Sequence, residues 1–176
     1  MKFKSLIALL LFTTLTAADP VQSFHLSSRS FSQGQPIPRI FTSDGGNEIP
    51  PLTWWGEPSG TQQFALLMYD PDAPRVQGTS GPFIHWLVYN IPEGTTDISD
   101  ALSGGAAAQA PNSFGQRGYN GPYPPAGGPA HRYVFALYAL DSTLSFPVSP
   151  TSAQVLSTIT GHVLEEATLM GTYQRS

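Results

Sequence analysis

The chain has 176 residues, with seventeen glycines, seventeen prolines, only 11% charged residues and no cysteine. Charge is less than half its usual share and Gly plus Pro is well above average, while 40% hydrophobic and 11% aromatic residues are enough for one packed core. The absence of cysteine excludes a disulfide framework, a thiolate metal site and a cysteine nucleophile. A net charge of −4 argues against nucleic acid and anionic membrane surfaces, which need clustered Lys and Arg.

Residues 1–18 read as a secretory signal peptide. Lys2 and Lys4 form a short positive start, Leu6 to Leu15 is an apolar stretch, and Thr16-Ala17-Ala18 supplies small residues for cleavage. The apolar stretch is too short to span a bilayer, so no integral membrane segment is expected after cleavage. The expected mature chain, 19–176, is a single domain, periplasmic or secreted. It retains six arginines against twelve acidic residues and no lysine, a net charge of −6. A lysine Schiff base or a phosphate-loop lysine is thereby excluded.

In chain order, Phe24 to Ser30 alternates weakly, and Ile37 to Thr42 reads as a short strand. Asn47 to Trp54 is extended and broken by Pro50-Pro51. Gln63 to Tyr69 is an apolar run of the kind buried on both sheet faces, ending at Asp70-Pro71-Asp72-Ala73-Pro74. Phe83 to Ile91 is a second such run. Ser99 to Ala108 can hold a turn or two of helix, and 112–130 must be loop because seven of its last ten residues are Gly or Pro. His131 to Leu140 is a third strand. Thr151 to Glu165 reads as a helix, with Thr151 and Gln154 in capping-box spacing and Val155, Ile159 and Val163 on one stripe. Glu166 to Gln174 reads as a last, short strand. The class is mostly β, with one or two peripheral helices and no internal repeat.

Polar groups at the ends of apolar strands carry the chemistry. Asp70 and Asp72 follow one strand and His131 opens another, on the face of Tyr133 and Phe135. Period-two alternation places His85 with Phe83, Leu87 and Tyr89. Each group needs a partner if buried, and converging strand ends can supply it. Taken singly, each residue suits a turn or a hydrogen-bonded core position as well as a site.

Together, Asp70-Pro71-Asp72-Ala73-Pro74, Gly81-Pro82-Phe83-Ile84-His85-Trp86, Gly121-Pro122-Tyr123-Pro124-Pro125 and His131-Arg132-Tyr133 resemble the phosphatidylethanolamine-binding protein family, specifically its bacterial and archaeal Raf-kinase-inhibitor-like branch. The resemblance implies a β-sandwich-like fold with a central antiparallel sheet, a smaller second sheet and flanking helices. It also implies a small cavity that takes phosphate, acetate or a phosphoryl head group. Carried over, the walls are Asp70, Asp72, Pro74, His85, Gly121, Tyr123 through its backbone, Pro124, His131 and Tyr133, and Ala73–Pro74 is a candidate cis peptide. Eukaryotic members add a C-terminal helix beside the cavity, so a more open pocket is expected here.

A pocket with two aspartates and no lysine can hold an anion only through local donors. Backbone N–H groups of the glycine-rich loop are one expected source. The other is imidazolium kept charged by neighbouring carboxylates, so that binding weakens above about pH 7. The function expected is non-enzymatic binding of a small anion or phosphorylated ligand, with no cofactor. Two alternatives stand: an inhibitor-like interaction protein whose target is a protease or kinase, and a metal-dependent hydrolase using the Asp and His residues. No G-x-S-x-G elbow is present to support serine hydrolysis.

Overall fold

The computed structural model describes residues 23–74 and 81–176, so the expected signal peptide lies outside the described residues. Seven strands and two short helices follow in the order β1 (His25–Ser28), β2 (Leu52–Trp55), β3 (Gln63–Asp70), β4 (Phe83–Pro92), α1 (Ile98–Ser103), β5 (Ala108–Gln109), β6 (His131–Leu140), α2 (Ser152–Ile159) and β7 (Val163–Tyr173). Strands β1 and β2 form a two-stranded antiparallel sheet. The other five form an antiparallel sheet in the order β5-β4-β3-β6-β7.

The apolar run of β3 explains its central place: seven of its eight residues are buried, because both sheet faces are covered. On one face Phe64, Leu66 and Met68 pack with Trp86, Phe135 and Leu137 against Leu26, Leu52 and Trp54 of the small sheet. On the other, Ala65 and Leu67 pack with Leu87 and Leu140 against Val155 and Ile159 of α2. The mostly-β, two-sheet architecture is the one the sequence implied. Both helices start at the capping residues their sequences offer. The Asp97 carboxylate accepts from the Asp100 N–H at 2.9 Å, and Thr151 and Gln154 form a reciprocal capping box.

Three local expectations are corrected. Ile37 to Thr42 is not a strand; it contains a 3-10 turn at Arg39–Phe41. Pro36 and Pro38 have no N–H to give a ladder. The segment instead covers the edge of β7 with isolated bonds, Gly34 N to Met170 O at 2.7 Å and Ile37 N to Thr172 O at 2.8 Å. The second helix stops at Ile159, two residues before Gly161, a residue that disfavours helix by about 1 kcal/mol relative to Ala. Val163 therefore leaves the helical stripe and begins β7, which runs for 11 residues. The two-residue strand β5 was not anticipated, being too short to show periodicity.

In urea denaturation, Leu137→Ala, which empties a fully buried position, should cost about 2–5 kcal/mol. Thr151→Ala, which removes only the cap of α2, should cost about 1 kcal/mol. Equal losses would show that α2 is integral to the core rather than a cover on it.

Candidate functional site

The site begins with an irregularity in β4. Met68 pairs with Trp86, but the next residue, Tyr69, pairs with Ile84, so His85 is an extra residue in the ladder. Such a bulge breaks the alternation and re-aims a side chain. The expected grouping of His85 with Leu87 and Tyr89 is corrected for this reason, since those two residues belong to the core on the α2 side. His85 turns to the opposite side, with its ring 5.2 Å from those of Phe83 and Tyr133 and 5.5 Å from that of Phe114. Its Nδ1 donates to the Asn120 carbonyl at 2.7 Å. Burial is the main cause that pushes its pKa below the ordinary histidine value; the Asn120 carbonyl and Asp70 oppose that shift without reversing it. The expectation of a carboxylate-stabilised imidazolium is therefore reversed for His85: desolvation of the charged ring outweighs the neighbouring charge.

The two aspartates are sorted by the alternation of β6. Asp70 ends β3, and its Oδ1 accepts the backbone N–H groups of Asp72 at 2.8 Å and Ala73 at 2.9 Å, a side-chain-closed turn. Its Oδ2 accepts from His131 Nδ1 at 2.8 Å, with both side chains buried. The next residue of β6, Arg132, points the other way and grips Asp72. Its N–H and Nε donate to Oδ2 at 2.9 Å each, and Nη2 donates to Oδ1 at 2.6 Å. This fork lowers the Asp72 carboxyl pKa to about 2. Asp72 thus braces the turn from outside, and it does not line the cavity.

A cavity of about 380 Å³ lies against these strand ends. Of the residues expected in its wall, Asp70, Pro74, His85, Tyr123, Pro124 and His131 line it. Asp72, Gly121 and Tyr133 do not. Tyr133 is fully buried behind His85, with its hydroxyl lacking a partner at bonding distance among the described residues. Burial, with Asp70 adding to it, raises its pKa, so the phenol stays protonated. Gly121 is needed for close packing, because a Cβ there would sit 2.3 Å from the Phe41 carbonyl oxygen.

Three glycine donors of the loop are taken up internally. The Gly121 N–H donates to Asn47 Oδ1 at 2.8 Å, and the N–H groups of Gly127 and Gly128 donate to the carbonyls of Arg175 and Pro125. In a loop this tightly folded, internal bonds satisfy the backbone first. Ala73–Pro74 is trans; the intrinsic cis–trans difference at proline is only about 0.5–1 kcal/mol, and the Asp70 turn sets the path here.

Phe83, Phe114 and Arg175 line the cavity and were not foreseen. The Arg175 guanidinium lies 3.8 Å above the Tyr123 ring centroid. Its Nε donates to both Asp44 carboxylate oxygens, at 3.0 and 3.1 Å, and the same carboxylate accepts from the Tyr173 hydroxyl at 3.0 Å. The main chain holds it as well, through Gly127 N to Arg175 O at 3.0 Å. The partners Asp44 and Tyr123 are 131 and 52 positions away in sequence, so no local pattern announces the arrangement. Among the described residues, no three His, Asp or Glu side chains are placed to hold a metal ion together; Asp70 and His131 direct ligand atoms at each other.

A five-stranded antiparallel sheet backed by a small second sheet, with a part-polar cavity at the strand ends, defines a two-sheet binding fold. The family model for phosphatidylethanolamine-binding proteins matches residues 27–174. The chain is 38% identical over 156 residues to a UPF0098 protein of Methanothermobacter thermautotrophicus, covering 86% of this chain and 99% of that one. It resembles the crystal structure of Escherichia coli YbcL, described as a member of the mammalian PEBP family, with a TM-score of 0.77 and 30% identity over 87% of this chain and 99% of the other. LppC of Mycobacterium tuberculosis, whose name marks it as a lipoprotein candidate, is 37% identical over 162 residues, covering 92% of this chain and 76% of that one. The chain belongs to the phosphatidylethanolamine-binding protein family, in its bacterial and archaeal UPF0098 branch.

Two measurements check this geometry. Gly121→Ala should destabilise the protein by about 1–3 kcal/mol, as overpacking against backbone does; an unchanged melting temperature would show that the loop gives way. His85, with its folded pKa depressed, contributes stability that is full above the unfolded value of 6.5 and is lost as pH falls from there toward the folded pKa. The fall in melting temperature between about pH 7 and pH 5 should be shallower in His85→Asn than in the wild type. Equal slopes would contradict a buried, neutral ring.

Proposed function

We propose that this protein binds a small anion or phosphorylated ligand in the cavity without performing chemistry on it, and that it acts outside the cytoplasm. The observation that carries the reading is Arg175: a permanently charged guanidinium, fixed by Asp44, Tyr123 and the loop backbone, in a wall otherwise made largely of Phe, Pro and Tyr. A planar fork held in advance loses little entropy on binding an oxyanion. Beside it, His131 is oriented through Nδ1 by Asp70, which leaves Nε2 for a ligand. Among the described residues, the cavity wall includes no serine, threonine or lysine. The anion-binding reputation of the family supports the same assignment.

Export is supported by the composition of residues 1–18 and by the lipoprotein name of one relative. Among the described residues no helix is long and apolar enough to cross a membrane.

Titration calorimetry with inorganic phosphate should show one site in the wild type. In Arg175→Gln the affinity should fall by about tenfold or more, the usual worth of a charge-assisted contact, with the far-ultraviolet circular dichroism unchanged. No binding to the wild type, or equal affinity in the variant, would overturn the reading.

A further inference from the structure

The polar atoms on the cavity wall are not all donors. A carbonyl oxygen can only accept, so His85 Nδ1, 2.7 Å from the Asn120 carbonyl, carries the ring hydrogen. The ring is 3% exposed and enclosed by the aromatic faces and edges of Phe83, Phe114 and Tyr133. In the neutral ring Nε2 therefore presents a lone pair. It has no hydrogen-bond partner among the described residues, and His85 borders the cavity. Asp70, also on the wall, is an acceptor as well, with its carboxylate already taking three hydrogen bonds. Among the described residues, the charged and titratable groups facing His85 are Asp70, which favours its protonation, and His131, which opposes it; Tyr133 contributes an uncharged ring.

A fully deprotonated oxyanion attracted by Arg175 would set its own lone pairs against those of His85. One that carries an acidic proton meets the same atom with a donor. We propose, resting on the anion-binding reading above, that the cavity selects protonated tetrahedral oxyanions. These are hydrogenphosphate or a phosphomonoester monoanion, and the excluded anions are sulfate and phosphodiesters. The ligand brings the proton that the buried ring lacks, and the hydrogen bond to Nε2 converts a repulsive contact into an attractive one. The preference is then built from one tautomer, fixed by one backbone carbonyl.

The test compares four ions by calorimetry at about pH 6.5, near the second pKa of about 6 of phosphate monoesters. Inorganic phosphate always carries a proton there and methyl phosphate carries one in part; sulfate and dimethyl phosphate carry none. The first pair should bind at least about tenfold more tightly than the second, as expected when a buried acceptor would otherwise go unpaired. In His85→Phe the lone pair is removed while the aromatic surroundings are kept, and the ratio should fall towards one. Equal affinity of all four ions for the wild type overturns the selection and leaves anion binding intact. No binding of any ion overturns both readings. Glycerophosphoethanolamine, a diester whose ammonium group can itself donate, separates a lipid head group from a monoester. Binding as tight as that of methyl phosphate would overturn the monoester assignment.

Discussion

The buried contact between Asp70 and His131 is the constraint around which the site is arranged. Asp70 closes the turn that ends β3, and His131 opens β6, so one hydrogen bond of 2.8 Å ties together the ends of two central strands. A carboxylate with 2% exposure requires partners on most of its lone pairs. It finds them in the Asp72 and Ala73 amides and the imidazole. Everything downstream depends on that satisfaction. The turn geometry places Pro74 on the cavity wall, the occupied Nδ1 orients His131, and Asp72 is left outside, where Arg132 takes it.

Charge enters this site without any local concentration of basic residues. Among the described residues, the cavity lining has one permanent cation, Arg175, and its field is partly compensated by Asp44. In the proposed anion-binding reading, binding strength comes from orientation and desolvation more than from long-range attraction, as expected for a chain with a negative formal charge. The aromatic and proline walls lower the local polarity, which strengthens the few polar contacts that remain.

Much of the fold was legible because its signals are local. The apolar runs at 63–69, 83–91 and 131–140 became β3, β4 and β6 within a residue or two, and Thr151 and Gln154 formed the capping box their spacing promised. The readings that failed depend on neighbours. Ile37 to Thr42 has strand-like residues, but Pro36 and Pro38 deny it a ladder. The phase of His85 depends on how β4 registers with β3, which alternation within β4 alone does not contain. At the site, six wall residues were legible from motifs. Gly121 was recognised as special, yet its role is to let the loop pass Phe41 and not to offer an N–H. Arg175 was invisible because its partners are distant in sequence.

The extra residue at His85 also divides β4 into two compartments. From Trp86 to Tyr89 the strand keeps the alternation demanded by both cores, up to a second register shift before Ile91, while Phe83, Ile84 and His85 follow a phase of their own. A bulge is a one-residue insertion absorbed by the backbone, so the side chains at the mouth can change without re-registering those that hold the sheet together. Lineages carrying this scaffold can therefore vary what the cavity recognises while the packing behind it stays fixed. Ligand preference and fold stability become traits that drift separately, joined only at the residues that touch both, Tyr133 and Asp70.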